Sequence, residues 1–231
     1  MNSRDKILNK LRANRPFENA PPRPRIFAPV TEIDDTSPEA LLARFTLEME
    51  RLKGEVFVAD GDAAAIETVL ELLRSHNTSR ALAWDFDCIP LAGLGEAVRG
   101  AGVEVIHPNT HASEREGSRA AMLAASEGAQ VSLTGVDAAV AATATLIVTT
   151  APGKGRIPTV LAPVHIAIIR QEQIVPRLEN WVAALRARGI DSIRQSANFC
   201  FITGPSRTGD IEMELILGVH GPGRVQAVIV R

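Results

Sequence analysis

The chain has 231 residues, enough for one large domain and thin for two. A net charge of −2 and the lack of any tyrosine supply neither the cationic surface nor the aromatic platforms that nucleic-acid binders use. Two cysteines, Cys88 and Cys200, are too few for a disulfide framework, a thiolate zinc site or a four-thiolate iron–sulfur cluster held by this chain alone.

Met1 to Arg12 is charged and has no apolar run of the kind a secretory leader carries. The longest weakly polar stretch, Ala138 to Pro152, is shorter than the roughly 20 residues that span a bilayer. A cytoplasmic protein without a membrane span is the expectation. Residues 3–12 predict a short helix with Ile7, Leu8 and Leu11 on one stripe. Four prolines follow in nine residues (Pro16, Pro21, Pro22 and Pro24) and forbid helix, which leaves either a disordered leader or an extended arm lying on the domain or a partner, with Phe17, Ile26 and Phe27 as apolar anchors. The arm is expected to be separable, giving a division into 1–36 (helix and Pro-rich arm) and 37–231 (α/β domain).

Ser37-Pro38 opens the next helix, a serine cap followed by proline at the first helical position. It is expected to run to about Lys53, with Leu41, Leu42, Phe45, Leu47 and Met49 inward. Strands and helices then alternate: strand 55–59, helix 62–74, strand 80–84, helix 91–99, strand 103–106, helix 113–126 and strand 130–133. A short Ala-rich helix is predicted over 138–144. Strand 145–149, strand 166–169, helix 176–188 with Trp181, Val182 and Leu185 inward, and strands 198–202 and 225–230 complete the chain. Short apolar strands in this order predict an α/β fold: a mostly parallel sheet with helices on both faces.

Ligands of open α/β sheets bind outside the carboxyl ends of the strands, so the turns there carry the search. Three are rich in glycine and polar residues. In the first, Thr134-Gly135 precedes Val136-Asp137. In the second, Gly153-Lys154-Gly155-Arg156 is a basic loop that lacks the order of a Walker loop. In the third, Thr203-Gly204-Pro205-Ser206-Arg207-Thr208-Gly209-Asp210 is expected to open a helix at 210–212. Ser206 and Thr208 offer hydroxyls and Arg207 a guanidinium fork suited to carboxylate or phosphate. Asp210 could cap the helix or pair with Arg207. On residue types alone, the plainer readings are a capped turn that binds nothing and an exposed loop. His165 and His220 are candidate proton shuttles or ligands, though a lone histidine is more often structural. No spacing suggests a metal site, and no nucleophile is marked. The candidate anion site is therefore Thr134, Gly135, Lys154, Arg156, Thr203, Gly204, Ser206, Arg207, Thr208, Asp210 and His220. Its two basic parts are expected to meet above the carboxyl edge of the sheet.

Taken together the turns resemble a known family. The similarity rests on Thr134-Gly135-Val136-Asp137-Ala138-Ala139-Val140-Ala141 with Thr143-Ala144-Thr145-Leu146. It continues in Leu161-Ala162-Pro163-Val164-His165-Ile166. It ends in Thr203 to Glu212 with Gly218-Val219-His220-Gly221-Pro222. These resemble the lactate utilization protein C family, whose domain is called LUD, from about residue 37 onward. The resemblance implies the fold shared by glucosamine-phosphate deaminases, ribose-phosphate isomerases and CoA transferases. It also implies a part in oxidising L-lactate to pyruvate beside iron–sulfur oxidoreductase subunits, with the clusters in those partners and no cofactor in this chain. Where the family commonly carries an acid and a glycine, this chain has Ala142 and Ala144.

Three functions follow as expectations. The first is an accessory subunit of a lactate-oxidising complex, not catalytic alone. The second is a stand-alone enzyme on the isomerase and CoA-transferase fold, acting on a phosphorylated or CoA-linked molecule. The third is a nucleotide- or anion-binding regulatory module. The resemblance favours the first.

Overall fold

The computed structural model describes residues 2–13, 32–108, 116–189, 196–209 and 215–231. They divide into two units, Met1–Glu32 and Ile33–Arg231. The first contains α1 (Ser3–Ala13), which buries no residue: Ile7 and Leu11 are both exposed. The Pro-rich segment 14–31 lies outside the described residues. The second unit starts at Ile33, which packs on the core, and so takes in residues that the sequence assigned to the arm.

From there the chain runs through α2 (Pro38–Arg51), β1 (Glu55–Ala59), α3 (Asp62–Ser75), β2 (Arg80–Ala83), α4 (Leu94–Gly100) and β3 (Glu104–Ile106). It continues with α5 (Glu116–Ser126), β4 (Val131–Thr134), β5 (Ala138–Val140), β6 (Thr145–Thr149), β7 (Val164–Arg170) and β8 (Ile174–Val175). It ends with α6 (Leu178–Ala187), β9 (Phe199–Thr203), β10 (Arg207–Gly209), β11 (Leu215–Leu217) and β12 (Arg224–Val230). Ser37 caps α2 as its sequence predicts, its hydroxyl accepting the Ala40 N–H, with Pro38 at the first position. Leu41, Leu42, Phe45 and Met49 are buried, but Leu47 faces outward.

Six strands form a parallel sheet in the order β1-β12-β7-β4-β2-β3. Its central strands are apolar on both sides: Ile166, Ala167, Ile168 and Ile169 of β7 are fully buried. A strand covered on both faces needs that composition. His76, just after α3, bonds to Gln226 on β12 and places α3 on one face. Ile157, in the 3-10 turn Ile157–Thr159, packs against Leu82, whose side chain lies on the other face.

Three sequence expectations need correction. The Ala-rich stretch 138–144 is not a helix: it is β5 followed by a turn. Its amides bond elsewhere, the Ala141 and Ala142 N–H groups donating to the carbonyls of Val175 and Pro176. Burial of all three β5 residues overrides the helix propensity of alanine. Next, β6 and β9 are not strands of the parallel sheet. They pair antiparallel in a second sheet of order β8-β5-β6-β9. Last, Arg207–Gly209, read as part of a turn, is a strand paired with β11; the helix expected from 210 lies outside the described residues.

Candidate functional site

The carboxyl edge of the parallel sheet gathers the ends of β2, β3 and β4. Trp84-Asp85 follows β2, His107-Pro108 follows β3, and Gly135-Val136-Asp137 follows β4. Gly135 is required there. A Cβ on it would lie 2.9 Å from Pro90 Cδ and 3.2 Å from the Cys88 carbonyl oxygen. The loop after β6 lies across this edge as a strap. The Gly153 carbonyl accepts the Asp85 N–H at 2.9 Å, and the Gly155 carbonyl accepts the Trp84 indole N–H at 2.9 Å. Gly153 has φ +76°, and a Cβ there would meet Asp85 Oδ2 at 2.8 Å.

Lys154 is held inside the strap. Its Nζ lies 2.6 Å from Asp137 Oδ1 and 4.8 Å from the centre of the Trp84 ring. The other Asp137 oxygen accepts the Thr149 N–H at 2.6 Å. The lysine charge is thus engaged by a carboxylate and an aromatic face. Arg156 is exposed and joins no ion pair among the described residues. Thr134 Oγ1 lies 2.8 Å from Nε2 of His165, a fully buried ring whose Nδ1 has no partner among the described residues. Burial pushes the His165 pKa down to about 4, so this imidazole is neutral and structural near pH 7.

Beside the strap, His107 presents a functional geometry. Its Nδ1 lies 3.1 Å from the Trp84 carbonyl oxygen and 3.3 Å from that of Ala83, with Asp85 Oδ1 at 3.6 Å. Carbonyls only accept, so in the neutral ring Nδ1 carries the hydrogen and Nε2 keeps its lone pair. The ring meets Phe86 edge-on at 5.4 Å, and Arg99 lies 5.2 Å from the Phe86 centre. These residues, with Glu96, line an open cleft of about 430 Å³. The arrangement is equipped for proton transfer at Nε2 and for holding a polar molecule. Cys88 is a poor nucleophile: burial and the neighbouring Asp85 push its thiol pKa up.

The remaining predicted residues are elsewhere. Thr203 Oγ1 bonds to Thr145 Oγ1 at 2.8 Å, and Gly204 packs against Leu52. The Ser206 N–H donates to the Pro222 carbonyl at 2.8 Å, and its own carbonyl accepts the Gly218 N–H at 3.0 Å. Its hydroxyl accepts the His220 N–H at 3.3 Å. Arg207 Nη2 donates to the Leu52 carbonyl at 2.8 Å. Thr208 pairs with Ile216 in the β10–β11 hairpin, and Asp210 lies outside the described residues. Leu52 precedes β1 and Pro222 precedes β12, so this turn sits at the amino edge of the parallel sheet.

The two basic segments therefore do not converge. In the β6–β9 ladder Thr145 pairs with Thr203 and Thr149 with Phe199. The loops that follow these antiparallel strands leave from opposite ends, roughly 13 Å apart along the ladder. Sequence reasoning missed His107, Asp85, Phe86 and Arg99 because it sought glycine-rich turns. The only signal was position: Asp85 and His107 each directly follow a predicted strand. Among the described residues no cluster fit to hold a metal ion occurs, and no helix is long and apolar enough to cross a membrane.

Comparison with known proteins adds the following. The model of the LUD domain matches residues 42–230. A protein named lactate utilization protein C from an Exiguobacterium species is 41% identical over 102 residues, 44% of each chain. One of the same name from Halalkalibacterium halodurans is 31% identical over 166 residues, 72% of this chain and 67% of the relative. Another from a Geobacillus species is 30% identical over 164 residues, 71% of this chain and 67% of the relative. The match thus spans less than half of the first relative and about two thirds of the other two. A solved DUF162 family protein from Deinococcus radiodurans superposes with TM-score 0.58 at 21% identity, covering 85% of this chain and 100% of that one. At that identity the superposition speaks for the fold.

Proposed function

The chain belongs to the LUD domain family, in its lactate utilization protein C group, and from this we propose that it serves L-lactate utilization as an accessory subunit beside iron–sulfur oxidoreductases. The observation that carries the reading is the similarity over 166 residues to a protein of that name. The donor set agrees with clusters held by partners. Cys88 sits beneath Pro152 and Cys200 lies within β9, and two thiols do not make a four-thiolate set. The carboxyl edge is the proposed place for a small anionic ligand, with Arg156 unpaired among the described residues and Thr134, Gly135 and Lys154 shaping the floor.

The test is reconstitution. Purified iron–sulfur partners are assayed for lactate oxidation with and without this chain, using an artificial electron acceptor. Activity that rises with the chain, while the chain alone is inactive, supports the accessory role. Turnover by the chain alone overturns it and favours the second reading, a stand-alone enzyme. One observation speaks for that second reading: the fixed tautomer of His107, which leaves Nε2 ready to take a proton. His107→Gln would then abolish the chain's own turnover.

A further inference from the structure

The edges of the two larger sheets are finished in different ways. β1 begins with Glu55, which is paired with Arg224. β3 has three residues and carries Glu104, which is paired with Arg80. β8 has only two residues. Short strands and charges are the ordinary means by which proteins stop sheet edges from pairing with other chains. β9 has neither. It is five residues long, Phe199-Cys200-Phe201-Ile202-Thr203, with no charge and no proline, and among the described residues no strand pairs with its outer edge.

Both sides of β9 are apolar. Cys200 and Ile202 pack on the main core. Phe199 and Phe201 meet Trp181 of α6 with ring centres 6.2 and 6.0 Å apart, yet Phe201 remains 49% exposed. Such a strand is composed for the interior of a sheet. On α6, Leu178 is 42% exposed and borders an open groove of about 520 Å³ with Val182 and Ala183. Glu179 and Arg186 line the same groove and make no ion pair with each other or with other described residues. They stand two helical turns apart, roughly 10 Å.

We propose that the β9 edge and this flank of α6 form a two-fold interface with a second copy of the chain. A two-fold axis pairs a strand with itself antiparallel and packs a helix against itself antiparallel. Under that operation the four-stranded sheet continues into eight strands. Glu179 of each copy then faces Arg186 of the other, so the charge pattern of α6 is complementary to itself. The amides and carbonyls of β9 gain partners, and Phe201 is covered.

The full chain is examined by light scattering and sedimentation at tens of micromolar. The expected mass is twice the 24.8 kDa of one chain. Phe201→Lys places a charge on the strand and is expected to weaken the dimer by at least about tenfold. Glu179→Arg sets like charges face to face and is expected to weaken it several-fold. The double variant Glu179→Arg/Arg186→Glu restores it, because the swapped pattern is again self-complementary. Circular dichroism confirms that each variant is folded, and the exposed charge pair keeps the test decisive if Phe201→Lys does not fold. A monomeric wild type overturns the proposal, as does a dimer whose dissociation constant is the same in Glu179→Arg as in the wild type. A monomer that forms a complex only with an iron–sulfur partner through β9 also overturns it.

Discussion

The two edges of the six-stranded sheet carry turns of similar composition that do different work. At the carboxyl edge, charged side chains meet side chains: Lys154 reaches Asp137 and lies over Trp84, and Asp85 stands beside His107. At the amino edge, the turn from Gly204 to Gly209 is tied to the main chain, with Ser206 stitched to Pro222 and Gly218 and Arg207 bonded to the Leu52 carbonyl. Glycine, serine, threonine and arginine occur at both. What separates a site from a brace is where the donors go. A guanidinium spent on a backbone carbonyl fixes a turn, whereas the imidazole of His107, held through Nδ1, keeps Nε2 without a partner among the described residues.

The largest expected effect tests how closely the carboxyl edge is tied to the core. His165 lies beneath Thr134 with a folded pKa of about 4 against 6.5 for the free side chain. Between these values the unfolded chain binds more protons than the folded one. The stability contributed by neutral His165 is complete above pH 6.5 and is lost as pH falls through 6.5 toward 4. The loss amounts to about 3 kcal/mol. Urea unfolding of the wild type and His165→Asn at pH 7 and pH 5 measures the part lost over that interval, about 2 kcal/mol. A wild type no more sensitive over that interval than the variant shows that His165 is not held neutral by burial.

The second prediction sets glycine against glycine. Gly135→Ala pushes a methyl against Pro90 and the Cys88 carbonyl and should cost about 1–3 kcal/mol. Gly209→Ala, at the amino edge, meets nothing within 4 Å among the described residues and should be near neutral. Equal losses would erase the distinction between a packed edge and an open hairpin.

Much of the fold was legible because burial on both faces leaves a plain mark on a strand. The sequence places β1 and β6 at their observed bounds, and the Ser37-Pro38 start of α2 is equally clear. Ala138–Ala144 misled because alanine favours a helix, while the pairing that decides the matter comes from residues 174–176. Ala144 holds φ +48° while fully buried, a backbone usually given to glycine, and glycine is the residue the family resemblance places there. The antiparallel pairing of β6 with β9 was equally hidden. An apolar strand does not announce which sheet it joins, and this one fact moved Arg207 away from Lys154. His107 was hidden because nothing about a lone histidine after a strand shows that Asp85 and two carbonyls will fix its ring.

A third, smaller effect probes the strap. Lys154→Met removes a cation that is only partly screened from water and leaves Asp137 with the Thr149 amide. A cost of about 1 kcal/mol is expected, below that of a fully buried pair. The emission of Trp84 should change, because the cation leaves its ring face. A variant with unaltered emission and stability would show that the glycine carbonyls alone hold the strap.

The smallest effect asks whether the amino edge is a ligand site at all. Arg207→Ala deletes an exposed hydrogen bond to the Leu52 carbonyl. A net loss of about 0.5–1 kcal/mol is expected, a fall in Tm of about 1–4 °C for a chain of this size. Arg156→Ala deletes no ion pair among the described residues and should leave Tm nearly unchanged. Titration with lactate, phosphate, a nucleotide and CoA then separates the edges. A ligand of the carboxyl edge loses about ten- to a hundredfold in affinity in Arg156→Ala and keeps it in Arg207→Ala. The reverse result, with Arg207→Ala folded and its Tm unchanged, would make Arg207 a ligand residue and the amino edge the binding site.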